Sequence, residues 1–198
     1  AVDTDEVYMT TELKGAKTYF LPFNKGNNRG KGNPQVEGKE RTYYLWEEIL
    51  KQDSLLDIIK RFYFIDKENN RAIFPRYHQL DAVRKIVADL EVNKAGLNYL
   101  IQHSAGSGKT NTIAWTAHRL SGLHDENDEA IFDSVIVVTD RKVLDKQLQD
   151  AIYQLEHKRG LVVKIDDDKN SSDLANAITS GVKIIITTIQ KFPYALQK

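Results

Sequence analysis

The run His103-Ser104-Ala105-Gly106-Ser107-Gly108-Lys109-Thr110 sets two glycines, a lysine and a hydroxyl residue at the spacing that a triphosphate tail requires. Gly106 and Gly108 let the backbone turn tightly, so that consecutive N–H groups, with those of Ser104, Ala105 and Ser107, can face phosphate oxygens at the positive end of a following helix. Lys109 adds a point charge for the β- and γ-phosphates and is the candidate catalytic residue. Thr110 offers its hydroxyl to a Mg²⁺ whose other ligands are phosphate and water. Such loops open with glycine, and His103 stands in that place. The expected cofactors are a nucleoside triphosphate and Mg²⁺.

The base is harder to assign. A guanine-reading Asn-Lys-x-Asp motif is expected late in a GTPase, but Asn93-Lys94 is followed by Ala95-Gly96 and precedes the loop, which disfavours GTP. Gln79, in Phe74-Pro75-Arg76-Tyr77-His78-Gln79, carries an amide that can donate and accept together and so could pair with an adenine edge. An ordinary exposed helix residue is an equally open reading of it. Other constellations carry less. Glu12-Leu13-Lys14 spells a metal-nuclease signature, with Asp3 or Asp5 as a possible partner carboxylate, but the triplet is common by chance and no catalytic role is assigned to it. His78, His103, His118, His124 and His157 lack metal-ligand spacing, and His118 and His124 are expected to face solvent. Asp166-Asp167-Asp168 reads as a solvated turn, and Trp46 and Trp115 as core or interface packing.

The elements that must position this loop follow from periodicity. Leu80, Val83, Val87 and Leu90 predict an amphipathic helix, Leu97–Ile101 a short strand, and Ile113, Ala117 and Leu120 a second helix closed by Gly122. Strands over 134–139, 161–165 and 183–188 alternate with helices over 143–155 and 174–178. Unbroken Val and Ile strands between helices imply an α/β fold with a parallel sheet covered on both faces. Upstream, 1–23 reads as β, 24–41 as a glycine-rich loop, and the stretch from Thr42 as helical, with Ser54 and Asp57 as a capping pair.

The whole has 198 residues, 28 basic against 28 acidic, 41% hydrophobic, and no cysteine, with a mean hydropathy of −0.48. The lack of cysteine excludes a disulfide scaffold, thiol catalysis and a zinc ribbon, and the charge balance gives no support to a generalised basic coat for nucleic acid, although a neutral total leaves room for a local patch. The longest apolar runs are far short of the roughly 20 residues of a membrane span, and the acidic start is no signal peptide, so a cytoplasmic protein is expected.

Pro75-Arg76-Tyr77-His78-Gln79, the loop 103–110, Val137 through Gln147, and Ile186-Thr187-Thr188-Ile189-Gln190-Lys191-Phe192 resemble the Q motif and motifs I, Ia and Ib of superfamily 2 helicases. Their wording is closest to the restriction (R, or HsdR) subunit of type I restriction-modification enzymes. Phe20-Leu21-Pro22-Phe23-Asn24 and Tyr44-Leu45-Trp46-Glu47-Glu48 resemble that subunit's link between nuclease and motor. In that family His is usual at the first loop position. The resemblance implies a type I site-specific deoxyribonuclease that uses ATP to translocate double-stranded DNA past methyltransferase and specificity subunits. It further implies that Gln79 reads adenine, that the loop holds ATP and Mg²⁺, and that Thr139, Arg141, Thr187, Thr188 and Lys191 touch the DNA backbone.

The domains so implied are the tail of a nuclease domain (1–23), a linker and helical connector (24–74), and a first RecA-like lobe truncated before its Walker B strand (75–198). No apolar strand ends in Asp-Glu, and no second lobe supplies an arginine finger, so a fragment with weak or no hydrolysis on its own is expected. A small-molecule kinase with a similar loop, or a docking module that keeps a nucleotide for stability, are the rival readings.

Overall fold

The computed structural model describes residues 1–67, 69–140, 142–156, 160–165, 169 and 171–191, with 142–145 by backbone alone. The chain divides into two compact units, 1–82 and 83–198, and the division falls inside one helix.

The first unit is mostly loop with short elements: β1 (Tyr8–Met9) pairs antiparallel with β2 (Leu21–Pro22), followed by α1 (Gln52–Arg61) and an antiparallel hairpin of β3 (Phe64–Asp66) and β4 (Arg71–Ile73). α2 (Tyr77–Asn93) begins here. Because little of this unit is regular, buried side chains supply the hydrogen bonds that a ladder would otherwise provide. Asn33, 1% exposed, accepts from the Lys25 N–H and donates to the Asp5 carbonyl and to Asn24 Oδ1, which itself accepts from the Val7 N–H. Buried Thr42 donates to the Asp3 carbonyl and buried Tyr44 to the Phe23 carbonyl, at 2.7 and 2.6 Å. Phe23, Tyr44, Phe74 and Tyr77 form a ring cluster with neighbouring centroids 5.3 to 6.1 Å apart, Tyr77 edge-on to Phe23 and Tyr44 and Phe74 tilted against Phe23. The Lys25 ammonium stands over the rings of Tyr44 and Tyr43 and pairs with Glu48. The glycine-rich stretch is therefore ordered by buried amides and cation–ring contacts, not by apolar side chains.

Three details depart from sequence expectation. α1 starts at Gln52 behind Lys51, so Ser54 and Asp57 lie inside the helix, where Asp57 pairs with Arg61. The β3–β4 hairpin stands where only helix and connector are expected. Trp46 is about half exposed instead of packed.

In the second unit α3 (Lys109–Ser121), β5 (Val135–Thr139), α4 (Lys142–Gln154), β6 (Val162–Ile165), α5 (Ser171–Thr179) and β7 (Ile184–Thr188) alternate as the Val/Ile runs require. The sheet is parallel, in the order β5-β7-β6, with Ile184, Ile185 and Ile186 of its central strand fully buried. α5 covers one face through Leu174 and Ala177, packed with Ile165 and Ile185. α3 and α4 pack on each other, with Trp115 and Ile152 at 0% exposure. His118 is half-buried, not solvent-facing: its Nε2 lies 2.8 Å from the Ile152 carbonyl, a tie between α3 and α4. The expected strand at Leu97–Ile101 does not form. That stretch pairs with no described strand and is exposed, Leu100 at 92%, because an apolar run becomes a strand only where a neighbour accepts its backbone bonds. No described helix is long and apolar enough to cross a membrane.

Candidate nucleotide-binding site

The loop enters α3 from an irregular segment. Gly106 and Gly108 take φ of 70° and 82°, the left-handed region that only glycine enters without a steric cost, and Gly108 is the residue that caps α3. Helix bonds start there: the N–H groups of Asn111 and Thr112 donate to the Gly108 carbonyl at 3.1 and 3.3 Å. A Cβ built on Gly106 meets nothing within 4 Å, so the inside of the turn is open. The Lys109 ammonium, exposed, donates to the carbonyls of Ser104 (2.8 Å) and His103 (3.2 Å). Ser104 and Ala105 are exposed, Ser107 is 7% exposed, and Thr110 is half-buried one residue into the helix. An open turn, a lysine bent over it and a hydroxyl at the helix start suit a polyphosphate with Mg²⁺.

Gln79 belongs to the other unit. It is 3% exposed, and its Oε1 accepts from the Arg76 N–H at 2.8 Å, which caps α2. It is not the exposed helix residue weighed from sequence.

The sheet's C-terminal rim carries the remaining candidates. Thr139 and Thr188 are register partners on neighbouring strands and so share a face, whereas Thr187 pairs with Val138 and Ile165 on the other. Thr187 and Thr188 are 1% and 8% exposed. The hydroxyls of Thr139 and Thr187 are shielded from solvent without a hydrogen bond to a described residue. Lys191 donates to the Lys169 carbonyl at 2.7 Å. Arg141 and Asp166–Asp168 lie outside the described residues. Ligands of open parallel sheets bind at this end of the strands, so the rim is well placed for a second partner.

The nuclease-like triplet resolves differently. Glu12 and Lys14 pair with each other at 2.9 Å, both more than half exposed. Asp3 accepts from the N–H groups of Glu6 and Asp5, which hold its carboxyl below the usual range, and Asp5 faces Arg41. No cluster of three metal-ligating side chains occurs among the described residues. A feature that sequence reasoning missed is a cavity of about 340 Å³ between α3 and β5, lined by Ile113, Ala117, Leu120 and Val135–Val138, with Lys109 at its wall. Its apolar walls suit hydrocarbon and not phosphate.

A family model described as SWI2/SNF2 ATPase matches residues 78–198. The chain belongs to the SWI2/SNF2 ATPase family. It is also similar to a protein of Methanocaldococcus jannaschii described as a type I restriction enzyme MjaVIIIP endonuclease subunit, 30% identical over 182 residues that cover 78% of this chain and 18% of that protein. The chain thus spans less than a fifth of that relative's length. No solved structure matches.

Proposed function

We propose that the chain contributes the ATP-binding half-site of a DNA-translocating motor, in the restriction subunit of a type I restriction enzyme. The observation that carries this is the loop 104–110: left-handed glycines at 106 and 108 turn its backbone into the start of α3, with Lys109 bent over the turn, in a chain of an ATPase family. The relative's description as a restriction endonuclease subunit supports the finer assignment.

On this reading Gly106 to Thr110 would hold the triphosphate, and the Thr110 hydroxyl would be a ligand of Mg²⁺, which would supply neutralisation of phosphate charge. Lys109 leaves the loop carbonyls for the phosphates. Gln79 is assigned to the reading of adenine. Residues 1–23 close a nuclease domain, 24–74 connect it to the motor, and 75–198 form the first motor lobe. Thr139, Arg141, Thr187, Thr188 and Lys191 are assigned to the DNA track, and the methyltransferase and specificity subunits are the protein partners.

The test is ATP hydrolysis by the full-length protein with and without duplex DNA. Wild type should be stimulated by DNA, and Lys109→Ala should lose turnover with its fold retained. ATP turnover indifferent to DNA, or undiminished in Lys109→Ala, would refute the assignment.

A further inference from the structure

The loop 26–32, Gly-Asn-Asn-Arg-Gly-Lys-Gly, is a built hairpin. Its arms are joined by the Gly26 N–H to the Gly32 carbonyl at 2.8 Å and by reciprocal bonds between Asn27 and Gly30 at 3.1 and 2.7 Å. The two turn residues, Asn28 and Arg29, take φ of 48° and 67°, the pair of left-handed conformations that a tight two-residue hairpin turn demands. Gly30 suits the turn, because a Cβ there would sit a tight 3.1 Å from the Asn27 carbonyl. Asn33 and Asn24, buried and half-buried at the foot, fix the base to the backbone of Asp5 and Val7.

Charge is distributed unevenly along this loop. Of the five cations between 25 and 41, Lys25 pairs with Glu48, Lys39 with Glu47 and Arg41 with Asp5. The other two, Arg29 and Lys31, stand exposed at the tip and pair with no described carboxylate. The tip has no apolar side chain at all, only two cations, two asparagine amides and glycines. A protein partner would need an apolar or aromatic anchor at the centre of the contact, whereas a phosphodiester backbone is held by cations and amides alone.

We infer that the Asn27–Lys31 tip is a nucleic-acid contact, in which Arg29 and Lys31 take phosphates of a duplex backbone and Asn27 and Asn28 donate to neighbouring phosphate or sugar oxygens. The inference rests on the DNA-motor reading, and adds to it a contact outside the motor lobe, on a hydrogen-bonded support. Since it reads charge and not base edges, it tracks the duplex without sequence preference.

The test uses the full chain and a fluorescein-labelled duplex, with affinity measured by anisotropy across a series of KCl concentrations. Arg29→Asn and Lys31→Gln are chosen because asparagine tolerates the left-handed backbone at 29, and thermal melts should be unchanged. Each should make the slope of log K against log salt shallower by about 0.9, and the double variant by about 1.8. Lys14→Gln, an equal loss of charge at an ammonium already paired with Glu12, should leave the slope alone. Equal slopes in wild type and double variant overturn the inference, as does an equal change in Lys14→Gln. So does a loss of binding to polyglutamate in place of the duplex. If DNA-stimulated ATP hydrolysis persists while the slopes do not move, the hairpin assignment alone falls. No wild-type affinity for duplex removes both.

Discussion

The Lys109 ammonium donates to the Ser104 carbonyl at 2.8 Å, so the cation proposed to take phosphate bends back over its own loop. Binding a triphosphate exchanges this neutral acceptor, and the His103 carbonyl at 3.2 Å, for anionic oxygens, so that both partners of the bond are charged. Both loop bonds are solvent-exposed, so their loss costs little. Lys109→Ala should lower unfolding free energy by about 1 kcal/mol or less. Calorimetry with Mg-ATP should show affinity lost in the same variant. A large loss of stability would mean that the lysine is structural.

The glycines of α3 make a paired test. Gly108 caps the helix at φ 82°, and Gly122 ends it at φ −118° with nothing within 4 Å of an added Cβ. Gly108→Ala forces a side chain into the left-handed region, at a cost of about 1–2 kcal/mol, and should weaken nucleotide binding. Gly122→Ala should be neutral or stabilising by about 0.4–1 kcal/mol, because alanine only restricts the unfolded chain there. Urea unfolding of both variants reads the contrast.

Burial pushes the Tyr44 phenol up to about 12, partly opposed by the Asn33 amide, and burial raises Tyr77 as well. Below pH 10 the phenols are neutral in both folded and unfolded chains, and their contribution is fully present. Between about 10 and 12 only the unfolded chain ionises, so stability falls with rising pH. For Tyr44 the loss, complete only above about pH 12, amounts to about 3 kcal/mol. Tyr44→Phe forfeits the bond to the Phe23 carbonyl, about 1 kcal/mol at neutral pH, but should flatten part of the alkaline decline. Urea midpoints at pH 8 and 11 give both quantities, on the scale of these about 1–2 kcal/mol effects.

What the sequence made legible is what it specifies locally. The Val and Ile runs of β5 and β7, the stripe Leu80-Val83-Val87-Leu90 and the glycines before Lys109 each announce themselves within a few residues, and all three take the expected form. The misses are tertiary. His118 looks like a helix-end histidine until α4 brings the Ile152 carbonyl within 2.8 Å. The hairpin β3–β4 has strands of three residues, too short to show a period; its signs are the β-prone run Phe62-Tyr63-Phe64-Ile65 and the turn at Asn69-Asn70, with Asn70 left-handed at φ 46°. Nor could spacing reveal that Thr139 would stand beside Thr188, since register depends on which strands adjoin.

The segment Leu97–Ile101 and the strand β7 are equally apolar in sequence, yet they lie at opposite ends of burial. Leu100 is 92% exposed, whereas Ile185 is fully buried against Ile165 and Leu174. Removing Ile185 beyond Cβ forfeits its transfer energy and leaves a cavity in a packed layer, so Ile185→Ala should cost about 2–5 kcal/mol. Leu100→Ser removes no buried contact and should stay within about 0.5 kcal/mol. Urea unfolding compares the two in this chain. If Leu100→Ser were as destabilising as Ile185→Ala, the 97–101 run would have to be packed, and its assignment as an exposed approach to the 103–110 loop would fail.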